Sequence, residues 1–254
     1  MIDIHSHILP NLDDGASSYE EALLIAKAAV NEGITTIIAT PHHQNGTYIN
    51  SKNKIIEKVD ELNLLLNKEN IPLTILPGQE TRIHGDLLNE LEEDVILPLN
   101  HSNYVFIELP SGHVPRYTEK MLFDIQMKGL TPIIVHPERN SEIVENPDLI
   151  YKLVSMGALT QITASSLTGH FGKNIKKFTL QLIESQLTHF IASDVHSLKN
   201  RPFRLTDGYG VLNKEFGVDA TYFFNENAEL LIKNLSVYKP GPNRIKKKKI
   251  LGIF

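Results

Sequence analysis

The sequence predicts a parallel α/β protein built from seven strand and helix units, and three observations predict it. Short apolar runs of strand length recur along the chain, and amphipathic helical stretches fill the intervals between them. No stretch of Pro, Gly and Ser divides the body, and no internal repeat or low-complexity stretch precedes the last dozen residues. The chain is 254 residues long with 41% hydrophobic residues, enough to bury one large core.

Taken in order, the first strand is 1–5, MIDIH. Ser17 or Ser18 then caps a helix, with Glu20 or Glu21 three residues on, residues 22–30 supply its apolar face, and Gly33 stands where a C-terminal stop belongs. The second strand is 34–40. After Ser51, the residues Ile55, Val59, Leu62 and Leu66 recur at helical spacing and form one buried face. Strands three to seven fall at 73–76, 104–109, 132–136, 159–164 and 189–193, with Gly129 and Gly157 ending two of the helices between them. Seven such units can close as a barrel or lie as an open sheet. Barrel closure is favoured because unusual residues gather at the strand ends, where parallel α/β barrels build their sites. Residues 1–242 are therefore expected to form one domain, ended by Lys239-Pro240-Gly241-Pro242, with 243–254 as a basic, flexible C-terminal tail.

Composition narrows the chemistry. With no cysteine, disulfide frameworks, thiolate zinc sites and cysteine nucleophiles are excluded. The N-terminus carries an acid and a histidine where an export signal needs basic residues and an apolar run, and no run is long enough to span a membrane, so a cytoplasmic location is expected. The net charge of -5 hides an asymmetry: the body is -10, whereas RIKKKKILGIF at 244–254 contributes five positive charges and no acid. An acidic body argues against nucleic acid as a partner. The tail reads as a solvated end, with a weak contact to an anionic membrane surface or acidic partner as the sharper alternative.

Chemistry collects at the C-terminal ends of the strands. The first ends in His5-Ser6-His7, the second in Thr40-Pro41-His42-His43, and the third runs into Pro77-Gly78-Gln79-Glu80. The fourth carries Glu108, the fifth His136-Pro137-Glu138-Arg139, and the seventh Ser193-Asp194-Val195-His196, while Asp13-Asp14-Gly15 adds carboxylates in the first loop. Histidines and acids favour loops anyway, and a single H-x-H pair is weak evidence, but six strand ends of seven make coincidence a poor explanation. Imidazole and carboxylate without thiolate suit zinc, manganese or iron. Carboxylates that bridge ions about 3.5 to 4 Å apart support phosphoester hydrolysis. Five neutral histidines and four acids around three divalent ions leave a balance of +2, which suits a phosphate dianion. Arg139 and Arg201 follow His136 and His196 closely and are placed to bind phosphate oxygens by paired hydrogen bonds. His43 and His113 flank these positions, while His84, His101, His170 and His189 read as chemically silent.

Together, MIDIHSHILP, DDG at 13–15, ATPHH at 39–43, PGQE at 77–80, IEL at 107–109, HPERN at 136–140 and SDVH at 193–196 resemble the polymerase and histidinol phosphatase (PHP) superfamily. Within it, the chain is similar to bacterial tyrosine-protein phosphatases of the CpsB/YwqE type. The resemblance implies a distorted seven-stranded parallel (β/α)7 barrel, the PHP fold, holding two or three metal ions. It implies one ion on His5, His7, Glu80 and Asp194, a second on Glu80, Glu108 and His136, and a third on Asp14, His42 and His196. Some members carry histidine where Asp14 and Glu108 stand here. Manganese is the metal such a family implies, with iron or zinc as alternatives, and Arg139 and Arg201 match its phosphate-binding positions. The implied activity is hydrolysis of phosphotyrosine on a bacterial tyrosine kinase and its substrates, in control of capsule or exopolysaccharide synthesis. Two rivals follow: a phosphoesterase of the same fold acting on histidinol phosphate or nucleotides, and a metal-stabilised scaffold without catalysis.

Overall fold

The computed structural model describes residues 1–246; residues 247–254, most of the basic tail, lie outside the described residues. The chain runs β1 (Ile2–Ser6), α1 (Tyr19–Asn31), β2 (Thr36–Ala39), β3 (His42–His43), α2 (Lys52–Lys68), β4 (Thr74–Pro77), β5 (Glu80–Arg82) and α3 (Leu87–Glu92). It continues with β6 (Tyr104–Glu108), α4 (Thr118–Met127), β7 (Thr131–Val135), α5 (Ser141–Glu145), α6 (Asp148–Ser155), β8 (Leu159–Thr163), α7 (Ala164–Thr168), α8 (Lys173–Glu184), β9 (Phe190–Ala192), α9 (Leu205–Phe216) and α10 (Val218–Ile232).

Local sequence explains the helix ends. Ser18 caps α1 and accepts the Glu21 amide, while the Glu21 carboxylate reaches back to the amide of Ser17. Gly33, at φ +80°, then turns the chain out of the helix. The four apolar residues at helical spacing in α2 are all buried.

All strand pairs are parallel, in a mixed α/β fold with two sheets: β1-β2-β4, and β3-β5-β6-β7-β8-β9. The seven predicted strands are all present, but the single seven-stranded ladder that the barrel expectation calls for is not seen. Two of the seven are broken, each into a body and a short C-terminal piece, and the pieces pair in a different sheet from the bodies. Pro41, between β2 and β3, has no amide hydrogen to donate. Gly78, between β4 and β5, lies so close to Ile38 that a Cβ would stand 2.7 Å from its Cγ2. At the other edge, the amide of Asp194 donates to His5 O and that of His7 to Val195 O, both at 2.9 Å, so the chain after β9 lies beside the end of β1.

Adjacent strand residues face opposite layers. Ile37, Ile107, Ile134 and Ile162 pack with the helices, whereas Ile4, Ile38, Phe106, Ile133, Leu159 and Phe190 form a second core on the inner face. Ala228 and Leu231 of α10 belong to that inner core, and Asn227 donates to His189 O, so α10 covers the end where the strands begin. The opposite end, where the strands finish, is left for the polar residues. Beyond α10, Asn243 N donates to Ser185 O at 2.8 Å, and the Arg244 guanidinium pairs with Asp148 and stacks 4.4 Å from the centre of the Tyr151 ring.

Candidate active site

Strands β1, β3, β5, β6, β7 and β9, with the turns that follow them, bring the nine side chains expected as metal ligands to one place. β1 carries a bulge between Asp3 and Ser6 that disturbs its register with β2 just where His5 sits. His136 and Asp194 both have left-handed backbones, φ 36° and 55°, a conformation that costs energy outside glycine and concentrates at functional sites. Gly15 has no substitute: a Cβ there would lie 2.0 Å from His7 O.

Glu80 is the hub. Its Oε1 lies 2.8 Å from His136 Nε2, and its Oε2 lies 2.9 Å from His42 Nδ1 and 3.3 Å from both His5 Nε2 and His7 Nε2. Asp194 faces the same imidazoles through Oδ1, 3.5 Å from His5 and 3.3 Å from His7. Its Oδ2 accepts from Arg201 at 2.5 Å and pairs with the Arg139 guanidinium at 2.8 Å. Asp14 stands 3.5 Å from the Nε2 atoms of both His42 and His196. Three donor groups are close enough to hold ions: His7, Asp14, His42 and His196; His5, His7 and Glu80; and His42, Glu80 and Glu108. They overlap the sets implied by the resemblance without coinciding with them. Asp194 falls outside the first set, His7 joins the third, and His42 stands with Glu80 and Glu108 where His136 was expected.

The donor chemistry fits a cationic group. Gln161 spends its amide hydrogen on Ile162 O, so its Oε1 accepts from His5 Nδ1 at 2.8 Å; Asp13 accepts from His7 Nδ1 at 2.6 Å. In the neutral rings each Nε2 would thereby be left as a lone pair, and the two face each other at 3.3 Å. His42 Nδ1, Glu80 Oε2, Asp194 Oδ1 and His196 Nε2 are buried without hydrogen-bond partners. Such lone pairs and carboxylates require positive charge among them.

Titration follows the same logic. Burial opposes charge on Asp194, but Arg139 and Arg201 outweigh it and hold the carboxyl well below the usual range. Burial opposes charge on Glu80 too, and His42, His5 and the hydrogen bond from His136 overcome it. Burial and then the Glu80 charge push Glu108 up. Burial, aided by Arg139, lowers His136 to about 3, and burial, aided by His7, lowers His196 to about 4. Both imidazoles are thus neutral at pH 7, the form that could ligate a metal ion. Burial would lower His7 as well, but Asp13 outweighs it and raises the imidazole well above its ordinary range. Beside the cluster opens a cleft of ≈ 320 Å³ lined by His42, Glu108, His136, Arg139, Asn140 and Arg201.

Comparison with known proteins agrees with this geometry. Residues 1–233 match the family described as capsular polysaccharide synthesis, CpsB/CapC. The chain belongs to the CpsB/CapC family. It is 50% identical over 254 residues to tyrosine-protein phosphatase YwqE of Bacillus subtilis (strain 168), covering 100% of both chains. To the putative tyrosine-protein phosphatase CapC of Staphylococcus aureus it is 41% identical over 255 residues, again covering 100% of both. A chain from the solved structures of YwqE from Bacillus subtilis and CpsB from Streptococcus pneumoniae, described as unique metal-dependent tyrosine phosphatases, superposes with a TM-score of 0.95 at 51% identity, covering 97% of this chain and 100% of that one. The resemblance drawn from the motifs is borne out.

Other residues of this CpsB/CapC chain support the cluster without carrying a signal of their own. Asp13 accepts His7 Nδ1, His42 N at 3.0 Å and Gly15 N at 2.9 Å, tying the first loop to two imidazoles. In the sequence it was one of two adjacent acids with nothing to say which faced inward. Gln161 comes from β8, whose predicted end supplied neither imidazole nor carboxylate. Arg82 grips Glu108 with two parallel bonds of 2.8 and 2.9 Å. Of the two flanking histidines, His43 turns away to Glu90 at 3.1 Å, and His113 is exposed. His189 is buried at the far end, where its Nδ1 accepts Thr160 N.

Proposed function

We propose that this chain is a metal-dependent protein-tyrosine phosphatase, acting on a bacterial tyrosine kinase and its substrates in capsule or exopolysaccharide synthesis. The observation that carries the reading is the pair of arginines on one oxygen of Asp194, beside a buried set of imidazoles and carboxylates. Family membership and full-length similarity to proteins named as tyrosine phosphatases support it. We assign His5, His7, Asp14, His42, Glu80, Glu108, His136, Asp194 and His196 as metal ligands, and manganese as the metal, with iron or zinc able to occupy the same oxygen and nitrogen donors. The nine strands read as the walls of a distorted seven-stranded barrel, two of whose strands are broken. We take residues 1–242 as the catalytic unit and 243–254 as the basic segment that follows it. No helix among the described residues is long and apolar enough to cross a membrane, and we place the enzyme in the cytoplasm.

When bound, the ions supply Lewis acidity for phosphate and for water activation. The rest falls to the chain. Asp194 fixes both guanidinium groups, so that their remaining N–H donors point into the cleft and bind the phosphate oxygens. Charge that builds on those oxygens during in-line displacement is met by donors already in place, without reorganisation. Water forms the new bond to phosphorus, the bond to the tyrosine oxygen breaks, and the phenolate leaves. Because the phenol pKa is near 10, departure needs less acid assistance than from an alkyl ester, which fits a site with no evident general acid. The chain has no cysteine, so no cysteinyl phosphate forms.

The deciding experiment measures bound metal and turnover of a phosphotyrosine peptide on the same sample, with and without a chelator. Activity should fall with metal content and return on readdition. A fully active metal-free protein, or a strong preference for histidinol phosphate, would overturn the reading.

A further inference from the structure

Four lysines lie on the two segments that adjoin the cleft arginines, three on α8 and one just before Arg201, and they have no part in the reaction. The Arg139 guanidinium lies 5.5 Å from the centre of the Phe171 ring, and Phe171 sits two residues before α8. His170 Nε2 donates to Asn200 O at 3.2 Å, which holds the segment leading into Arg201 against the same turn. Both phosphate-binding arginines therefore adjoin the start of α8.

That helix opens with Lys173 and carries Lys176 and Lys177, with no acid in its first turn. Lys176 lays its stem over Gly169, where a Cβ would stand 3.2 Å from the lysine Cδ. Lys173, Lys177 and, on the segment just before Arg201, Lys199 are exposed. Nearby carboxylates are committed elsewhere: Asp194 to the two arginines, Asp207 to Arg204, and buried Glu138 to Thr163. Among the described residues, the four lysines enter no ion pair with them. A cation in the first turn of a helix opposes the macrodipole, so Lys173 and Lys176 cost the fold stability instead of adding it. They also concentrate positive charge on a body whose balance is -10.

We propose that Lys173, Lys176, Lys177 and Lys199 form a docking strip for acidic residues that flank the phosphotyrosine in a protein substrate. This rests on the phosphatase reading and adds a substrate class to it. With phosphate seated on Arg139 and Arg201, an extended peptide advances about 3.3 Å per residue. Side chains a few positions from the phosphotyrosine then reach the strip through Phe171 and the Asn200 segment.

The test uses the full chain and three substrates: phenyl phosphate, a phosphotyrosine peptide flanked by Asp and Glu, and the same peptide flanked by Ser and Gln. The wild type should favour the acidic peptide several-fold in kcat/KM, through KM, and should lose the preference in high salt, as exposed ion pairs do. The variant K173E/K176E/K177E should lose about tenfold on the acidic peptide while keeping its turnover of phenyl phosphate. If that variant does not fold, K199E, on a separate segment, should reduce the same preference. Equal turnover of both peptides by the wild type, or equal losses on all three substrates in a folded variant, would overturn the proposal. A wild type active on phenyl phosphate and on both peptides alike refutes the strip alone. A wild type inactive on every substrate refutes the phosphatase reading and the strip with it.

Discussion

Replacing Asp13 by Asn separates support of the cluster from the cluster itself. The carboxylate accepts three hydrogen bonds, from His7 Nδ1 at 2.6 Å, His42 N at 3.0 Å and Gly15 N at 2.9 Å. Asparagine keeps the volume but has one acceptor oxygen in place of two. If that oxygen faces Gly15, the amide NH2 meets the His42 N–H, donor against donor, and His7 must take the other tautomer, which puts hydrogen on the Nε2 that faces Glu80. If it faces His7, the Gly15 amide is left unpaired. Either arrangement strands a backbone donor, at about 1 to 3 kcal/mol, and one of them removes a ligand lone pair. Support groups of this kind are worth about 10 to 100-fold in metal affinity, or roughly 1.4 to 2.7 kcal/mol. Asp13→Asn should therefore shift the manganese concentration for half-maximal activity upward by that factor. At saturating metal, kcat should largely recover and KM for phenyl phosphate should hold. The assay is a metal titration of activity, paired with a thermal melt at each metal concentration. A variant whose metal affinity stays within twofold of wild type, while the melt shows the loop intact, would refute the reasoning.

Three further outcomes are expected. Arg201→Ala and Arg139→Ala should each lower kcat/KM on phenyl phosphate by about a hundredfold, with lysine a poor substitute because it lacks the planar fork; an unchanged KM and kcat would remove the phosphate-binding role. Gly15→Ala must displace His7, since the new Cβ would lie 2.0 Å from its carbonyl oxygen, so the melting temperature and bound metal should fall together, and retention of both would show that the loop adapts. His189 is held neutral by burial and by Lys239, with its pKa lowered to about 3. Below the unfolded value near 6.5 the unfolded chain binds the extra proton, so stability is full above pH 6.5 and is lost as pH falls toward 3, with a slope of up to about 1.4 kcal/mol per unit. Gln, which offers Thr160 an acceptor without titrating, should flatten the difference in unfolding free energy across that window, and parallel pH curves would sink the assignment.

What could be read from the sequence divides along a physical line. Strands such as Tyr104–Glu108 and Thr131–Val135 fall within a residue or two of their expected ranges because they are continuous runs of buried apolar and β-branched residues. The broken strands are a different matter. Pro41 declares its missing donor in the sequence, but Gly78 is required only because Ile38 and Leu99 crowd it from other elements, and no local pattern contains that information. The site divides in the same way. Residue types with strong chemistry, imidazole and carboxylate at strand ends, announce themselves; the groups that aim them do not.

β8 shows why this matters for the chemistry. Its end supplies no charged or imidazole side chain, so pattern reasoning treats it as a bare wall. Yet its Gln161 accepts from His5 Nδ1, while its backbone oxygen takes the amide of His136 at 2.7 Å. One neutral residue thus sets the tautomer of one imidazole and holds the strained backbone of another. A carboxylate in that position would also accept from His5, but it would add a buried negative charge beside Glu80 and Asp194, which already depend on arginines and imidazoles to remain ionised. An amide orients without that cost. The least conspicuous strand is therefore the one on which both charge balance and ligand geometry converge, and Gln161→Glu should disturb metal affinity more than Gln161→Asn, although glutamate preserves the reach and the acceptor.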